Sequence, residues 1–246
     1  MGDLVRPTLR GLRWFAAEFF VVVAGVLVAL AVQSWWNDRS ARLEEHALLQ
    51  RLRAEFVGNR HRYDETAGSQ REIIATARRM LEWTGPRPSS VDVAEFEPLL
   101  LSLCTDLPRY RPAVSELEAM IDSGQLALIR NDRLRARIAA WPRALERVRT
   151  SETYVADQVI RGFLPYLFER IPLTNLDVSV GMDPDQRRSR FEADYKMLLS
   201  DVQFENHVEN RWALSVIILN SMADARALME EIITLLDAEL DGAASG

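Results

Sequence analysis

The stretch that most constrains this 246-residue chain is WFAAEFFVVVAGVLVALAVQSWW, Trp14 to Trp36. It holds about 20 apolar residues, enough at ~1.5 Å of rise per residue to cross the ~30 Å hydrocarbon core of a bilayer as a helix. Glu18 interrupts the run near its start, and Gln33 and Ser34 near its end. Backbone N–H and C=O groups find no water in lipid, so a lone apolar segment has one spanning form, the helix. Trp14 and the Trp35–Trp36 pair stand where amphipathic rings settle at headgroup level. The expectation is a single transmembrane helix over 14–36 with a large domain behind it.

The flanks set its direction. Arg6, Arg10 and Arg13 face only Asp3 in the leading segment. Short basic tails stay in the cytoplasm, while long domains cross largely regardless of charge. This predicts a cytoplasmic tail over 1–13, a bacterial inner-membrane anchor, a periplasmic domain over 37–241 and a disordered tail over 242–246. A cleaved signal peptide is the competing reading, because Ala29-Leu30-Ala31 has the small-x-small form of a cleavage site. Against cleavage stand the length of the apolar run, the acid inside it and the two tryptophans directly after it.

Within the span, Glu18, Val22, Gly25, Ala29 and Gln33 follow steps of three or four and share one helix face. Gly25-x-x-x-Ala29 is a small-x-x-x-small pair that lets two backbones approach closely, with a polar group at each end of the stripe. This face is a candidate for helix–helix association, with a second copy or with another membrane protein. An intramembrane acid calls for a partner or the interface. Glu18 lies about one turn inside the boundary, where it reaches the headgroups and can meet Arg10 or Arg13.

At 48% hydrophobic and 27% charged, the remainder has the makeup of one ordered domain. The net charge is −6, and with the basic tail set aside the domain is more acidic still. That argues against nucleic-acid binding. Cys104 is the only cysteine, so no intrachain disulfide and no thiolate metal cluster can form.

Beyond the span the helix is expected to continue to about Trp83. Leu43, Leu48, Leu49, Leu52, Phe56, Tyr63, Ile73, Ile74, Ala77, Met80 and Leu81 recur at helical steps, and Gly58 to Ser69 is the weakest part, where a break is expected if anywhere. Gly85-Pro86-Arg87-Pro88 ends it. Ser90 is an N-cap candidate for a helix over 92–104. Pro108 and Pro112 bound an extended connector, and Ser115-Glu-Leu-Glu118 has the form of a capping box. Gly124 suits a left-handed C′ position, and Asn131-Asp132 caps a helix running to about Arg161 with Pro142 as a kink. Gly162 and Pro165 interrupt it. Residues 173–185 read as irregular, with helix resuming near Gln186.

A final long helix follows Ser200-Asp201. Its stripe is Phe204, Val208, Trp212, Ser215, Ile218, Met222, Ala225, Met229, Ile232, Leu236 and Leu240. No stretch alternates like a strand. The fold class is therefore all-α: an N-terminal transmembrane helix continuing into an extracytoplasmic helical bundle, its first and last long helices packed together.

Two blocks carry a resemblance. The first is Glu18 through Leu30 with Gln33-Ser-Trp-Trp-Asn37-Asp-Arg39. The second is SELEAMIDSGQLALIRNDRLRAR, Ser115 to Arg137, through Leu117, Ser123, Gly124, Leu126, Leu128, Ile129, Asn131, Leu134 and Arg135. Together they resemble an uncharacterised bacterial family of single-pass membrane proteins, a domain of unknown function. Ala113-Val114 depart from it where an aromatic is usual. The resemblance implies topology and fold and supplies no activity.

No cofactor is expected. His46, His61 and His207 stand outside H-E-x-x-H and E-x-x-H spacing, and no nucleophile elbow, P-loop or dinucleotide glycine pattern occurs. His207 between Glu205 and Glu209 reads as a rim histidine. Arg130, Arg133 and Arg137 fall on one helix side with Arg147 nearby, a candidate patch for an anionic partner. The plainer reading is a solvated face paired with acids such as Glu230, Glu231, Asp237 or Glu239. The expected role is non-enzymatic: a binding, scaffold or sensor-like accessory protein of the bilayer. The alternatives are an exported envelope enzyme and an oligomeric pore or transport subunit using Glu18.

Overall fold

A computed structural model of the chain describes residues 9–88 and 90–244, with side chains from Glu18 to Gly242 apart from Ser89. Most of the basic tail, the side chains of Arg10, Arg13 and Trp14, and the last two residues of the expected C-terminal tail lie outside what is described.

Among the described residues every regular element is a helix. Helix α1 runs without a break from Leu9 to Trp83, 75 residues, or about 110 Å. Its two ends differ in kind. Every side chain from Glu18 to Ser40 is exposed, including the bulk of the apolar run and Leu43 just past it. From Leu48 onward one side is buried, with Leu48, Leu49, Leu52, Phe56, Tyr63, Ile73, Ala77 and Met80 inside. The expected continuation to Trp83 holds even through Gly58 to Ser69, the weakest part of the pattern. Asn59, Tyr63 and Ala67 are all buried in that interval, so packing holds the helix where propensity is weakest.

Against α1 runs α8, Val202–Ala244, in the opposite direction. Arg53 meets Asp237, Arg60 meets Glu230 at 3.7 Å, and Arg226 meets Asp64 at 2.8 Å, which fixes the antiparallel register. Nine members of its predicted stripe are buried; Trp212 and Leu240 are half-buried at its margins. A third long helix, α4 (Asp132–Gln158), ascends away from the apolar end of α1. The fourth side is a descending composite of α2 (Val93–Thr105), an extended connector over 106–114, α3 (Ser115–Asp122) and a 3₁₀ turn, Gln125–Leu128. The near half of the core centres on Phe56 and Trp141, whose rings meet edge-on at 5.3 Å. The far half gathers Phe96, Leu100, Leu103, Phe163, Leu198 and Phe204.

Local details depart from expectation in five places. Asp92, not Ser90, caps α2 by accepting from Ala94 N–H at 3.0 Å. The capping box does not form at α3: Val114 occupies the N-cap and makes no side-chain bond. The cap comes instead from α1, where the Glu55 carboxylate accepts from Glu116 N–H at 2.8 Å, Leu117 N–H at 3.4 Å and the Ser115 hydroxyl at 3.3 Å. Gly162 and Pro165 do not turn the chain out of helical geometry, although the regular α-helix ends at Gln158. A π-helical turn, Val159–Phe163, leads straight into α5 (Leu164–Phe168), with Pro165 at the point where α-helical pairing resumes. Residues 173–185 contain a short helix, α6 (Thr174–Ser179). Helix does not resume at Gln186 but only at α7 (Tyr195–Leu199), because Arg188 and the Ser189 backbone are drawn to Glu97 and Asn175.

Gly124 does adopt the left-handed backbone, with φ +72°, one residue past the Ser123 C-cap of α3. Asn131 caps α4 through Leu134 N–H at 3.0 Å, and α4 passes through Pro142 without ending.

Candidate functional site

Among the described residues two helices, α1 and α8, are long and apolar enough to cross a membrane. They earn that description differently. The apolar stretch of α8 is the core helix of the bundle, and its outward side carries Arg226, Glu230 and Asp237 in ion pairs. Among the described residues the apolar stretch of α1, from Glu18, has no such partner. Val22 is 60% exposed, and a Cβ built on Gly25 meets nothing within 4 Å. Glu18, Val22, Gly25, Ala29 and Gln33 therefore form an unobstructed stripe along a protruding rod. Its chemistry is close backbone approach at Gly25 and Ala29, flanked by one carboxyl and one carboxamide.

Just beyond the rod the arginine group is divided. Arg130 turns to α1, with Nη2 donating to Asp38 at 2.9 Å and its backbone N–H to Glu45 at 2.8 Å. Arg133 and Arg137 both reach Glu231 on α8, at 2.7 and 2.9 Å. Arg147 stands apart and donates to the Arg143 carbonyl at 3.5 Å. Asn131 donates to Glu239 at 2.6 Å. The start of α4 is thus tied to both long helices at the level where the bundle begins. Arg133 and Arg137 hold the Glu231 carboxyl below the usual range, and Arg42 with Arg130 does the same for Asp38. These groups are exposed, so each pair contributes little alone.

Sequence reasoning missed the buried polar groups. Arg211, 1% exposed, lies within the stripe of α8. Its guanidinium donates to the Leu103 carbonyl at 3.1 Å, the Asp106 carbonyl at 2.8 Å and the Ser215 hydroxyl at 2.6 Å. It thereby satisfies the open carbonyl end of α2, where a cation is favoured by the helix dipole. Burial lowers its pKa to about 10, so it stays charged at neutral pH. Glu97, 1% exposed, binds both nitrogens of the Arg188 fork and the Tyr195 hydroxyl, pinning the 183–194 segment to α2. Asn59 accepts from Ala113 N–H at 2.7 Å and donates to its carbonyl at 2.8 Å, stitching the connector to α1. An arginine i,i+4 from a serine inside an apolar stripe was the available signal for Arg211; Glu97 and Asn59 left none.

His207 is half-buried, stacked on Phe163 at 5.2 Å and tilted against Tyr166 at 4.8 Å; burial first, then Arg170, pulls its pKa down. Cys104 is buried, and burial pushes its thiol well up. Among the described residues no group of three or more His, Cys, Asp or Glu side chains is placed to hold a metal ion. Comparison with known proteins gives no match: no protein-family model, no curated protein and no solved structure matches the chain.

Proposed function

We propose that this chain is a single-pass membrane protein of the bacterial inner membrane. Trp14 to Trp36 cross the bilayer, the N-terminus is cytoplasmic, and the helical bundle works on the periplasmic side as a binding, scaffold or sensor-like module. One observation carries the reading: the exposed apolar rod and the first helix of the bundle are a single unbroken helix. A rod of that kind fixes the height and rotation of the bundle above the membrane. It also transmits rotation of one part to the other, which a flexible linker cannot do. The motif resemblance of the Glu18–Arg39 block supports the same topology.

The stripe of Glu18, Val22, Gly25, Ala29 and Gln33 is then the face that meets a second copy or another membrane helix. A non-enzymatic role is supported by how the buried polar groups are used. Arg211, Glu97 and Asn59 each hold one element against another.

Topology and association are tested in one cysteine-substituted series on a Cys104→Ala background. Leu43→Cys should react with a membrane-impermeant maleimide applied to intact spheroplasts, and Val26→Cys should not. Gly25→Cys should crosslink in native membranes, and Leu27→Cys, off the stripe, should not. Labelling of Leu43→Cys only after lysis would reverse the orientation. Equal crosslinking at both positions would remove the association face.

A further inference from the structure

A cleft of about 420 Å³ lies between α4 and the extended connector. Arg109 and Arg111 approach it from the connector, Arg149 from α4, and Glu152 lines its base. The placement has a local cause. Tyr110 between the two connector arginines is 3% exposed, and its hydroxyl donates to the Asn59 carbonyl at 3.2 Å. In an extended segment, neighbours of an inward residue face outward, so Arg109 and Arg111 are both left exposed. The Tyr110 N–H donates to Glu152 at 2.6 Å and clamps the connector onto α4 one turn after Arg149.

The charges here are unspent. Arg130, Arg133, Arg135 and Arg137, earlier on the same part of the chain, each have a carboxylate partner. Among the described residues Arg109, Arg111 and Arg149 have none at ion-pair distance. The acid they act on is Glu152, 6% exposed, whose carboxyl is already engaged by Tyr110. Three guanidiniums around one buried carboxylate leave a positive excess in a chain of net charge −6. Planar guanidinium forks match phosphate oxygens in pairs. The volume is at the small end of ligand sites, which run about 300–1,000 Å³. The cleft is level with Asn59, about 35 Å along α1 from Trp36, beyond the reach of lipid headgroups.

We propose that this cleft binds a small water-soluble phosphate monoester, its dianionic head held by Arg109, Arg111 and Arg149. Glu152 opposes the anion and thereby limits affinity. The site goes beyond the anchoring reading; only the exclusion of lipid headgroups as the phosphate source rests on it, and anion binding by the cleft can be assayed without a bilayer.

The test is calorimetric titration of inorganic phosphate into the full chain in dodecyl maltoside micelles, with ionic strength matched by chloride. Saturable one-to-one binding is expected. Arg111→Gln and Arg149→Gln should each weaken it at least tenfold, while Arg143→Gln, exposed on α4 outside the cleft, leaves it unchanged. Glu152→Gln keeps an acceptor for Tyr110 and should tighten binding severalfold, a direction that a merely structural carboxylate would not produce. Heat of dilution alone in the unsubstituted chain, or an equal loss in Arg143→Gln, overturns the proposal. Malonate binding tenfold tighter than phosphate overturns the phosphate assignment in favour of a dicarboxylate.

Discussion

Helix α3 begins at a sequence that has its own capping box, yet its cap arrives from α1, about sixty residues earlier in the chain. The consequence is measurable. Glu55→Ala removes one good hydrogen bond, to Glu116 N–H at 2.8 Å, and two longer ones, at 3.3 and 3.4 Å. Loss of a side-chain cap costs about 0.5–2 kcal/mol, and loss of a negative charge at a helix N-terminus about 0.3–1 kcal/mol. Glu55 is half-buried and α3 has only two turns, so about 1.5 kcal/mol is expected in total. For a bundle of this size that lowers Tm by roughly 3–6 °C. Glu118, the acid that a local capping box would use, is exposed and bonds nothing at the helix start. Glu118→Ala should stay within about 0.5 kcal/mol of the parent. Thermal unfolding followed by circular dichroism in detergent separates the two. A cost for Glu118→Ala as large as for Glu55→Ala, or a silent Glu55→Ala, would show that the cap of α3 does not come from α1.

Three further outcomes follow from named contacts. Arg188→Met leaves the buried Glu97 with Tyr195 as its remaining partner; half-exposure of Arg188 brings the expected loss to about 2 kcal/mol, with faster proteolysis at Arg187 or Arg190, and unchanged cleavage there would contradict the pinning. Burial raises the Glu152 carboxyl above its ordinary 4.5, so the folded chain holds that proton more tightly than the unfolded one. Stability should therefore fall as pH rises from about 4.5 through the raised pKa, and denaturant midpoints across that window should be flatter in Glu152→Gln than in the parent. Gly124→Ala meets no atom within 4 Å but forces a side chain onto φ +72°, so a Tm loss corresponding to about 1 kcal/mol is expected, and no loss would mean the turn relaxes.

Features written in local periodicity were legible in the sequence. The α8 stripe from Phe204 to Leu240 recurs at helical steps, and the structure buries nearly all of it. The apolar run and the Gly124 turn belong to the same class, because each depends on neighbours within a few residues. What could not be read is what one element does for another. Glu55 capping α3, Asn59 stitching the connector and Arg211 closing α2 all act across more than fifty residues of chain. The expected helix after Gln186 fails for the same reason, since Asn175 and Glu97 draw off that segment from elsewhere. Of the arginine group, its pairing with Glu231 was foreseeable from charge alone. Its division between α1 and α8 required the register of three helices.

The anchoring role proposed for this chain depends on α1 remaining one rigid helix where it leaves the apolar rod and enters the bundle. Spin labels at Ala31→Cys and Gln50→Cys, both exposed, on a Cys104→Ala background test that junction in lipid nanodiscs. A continuous helix places the two backbones about 29 Å apart with a narrow distance distribution. A broad distribution, or a peak shorter by a helical turn or more, would mean that the rod and the bundle are hinged and that the rigid-anchor account is wrong.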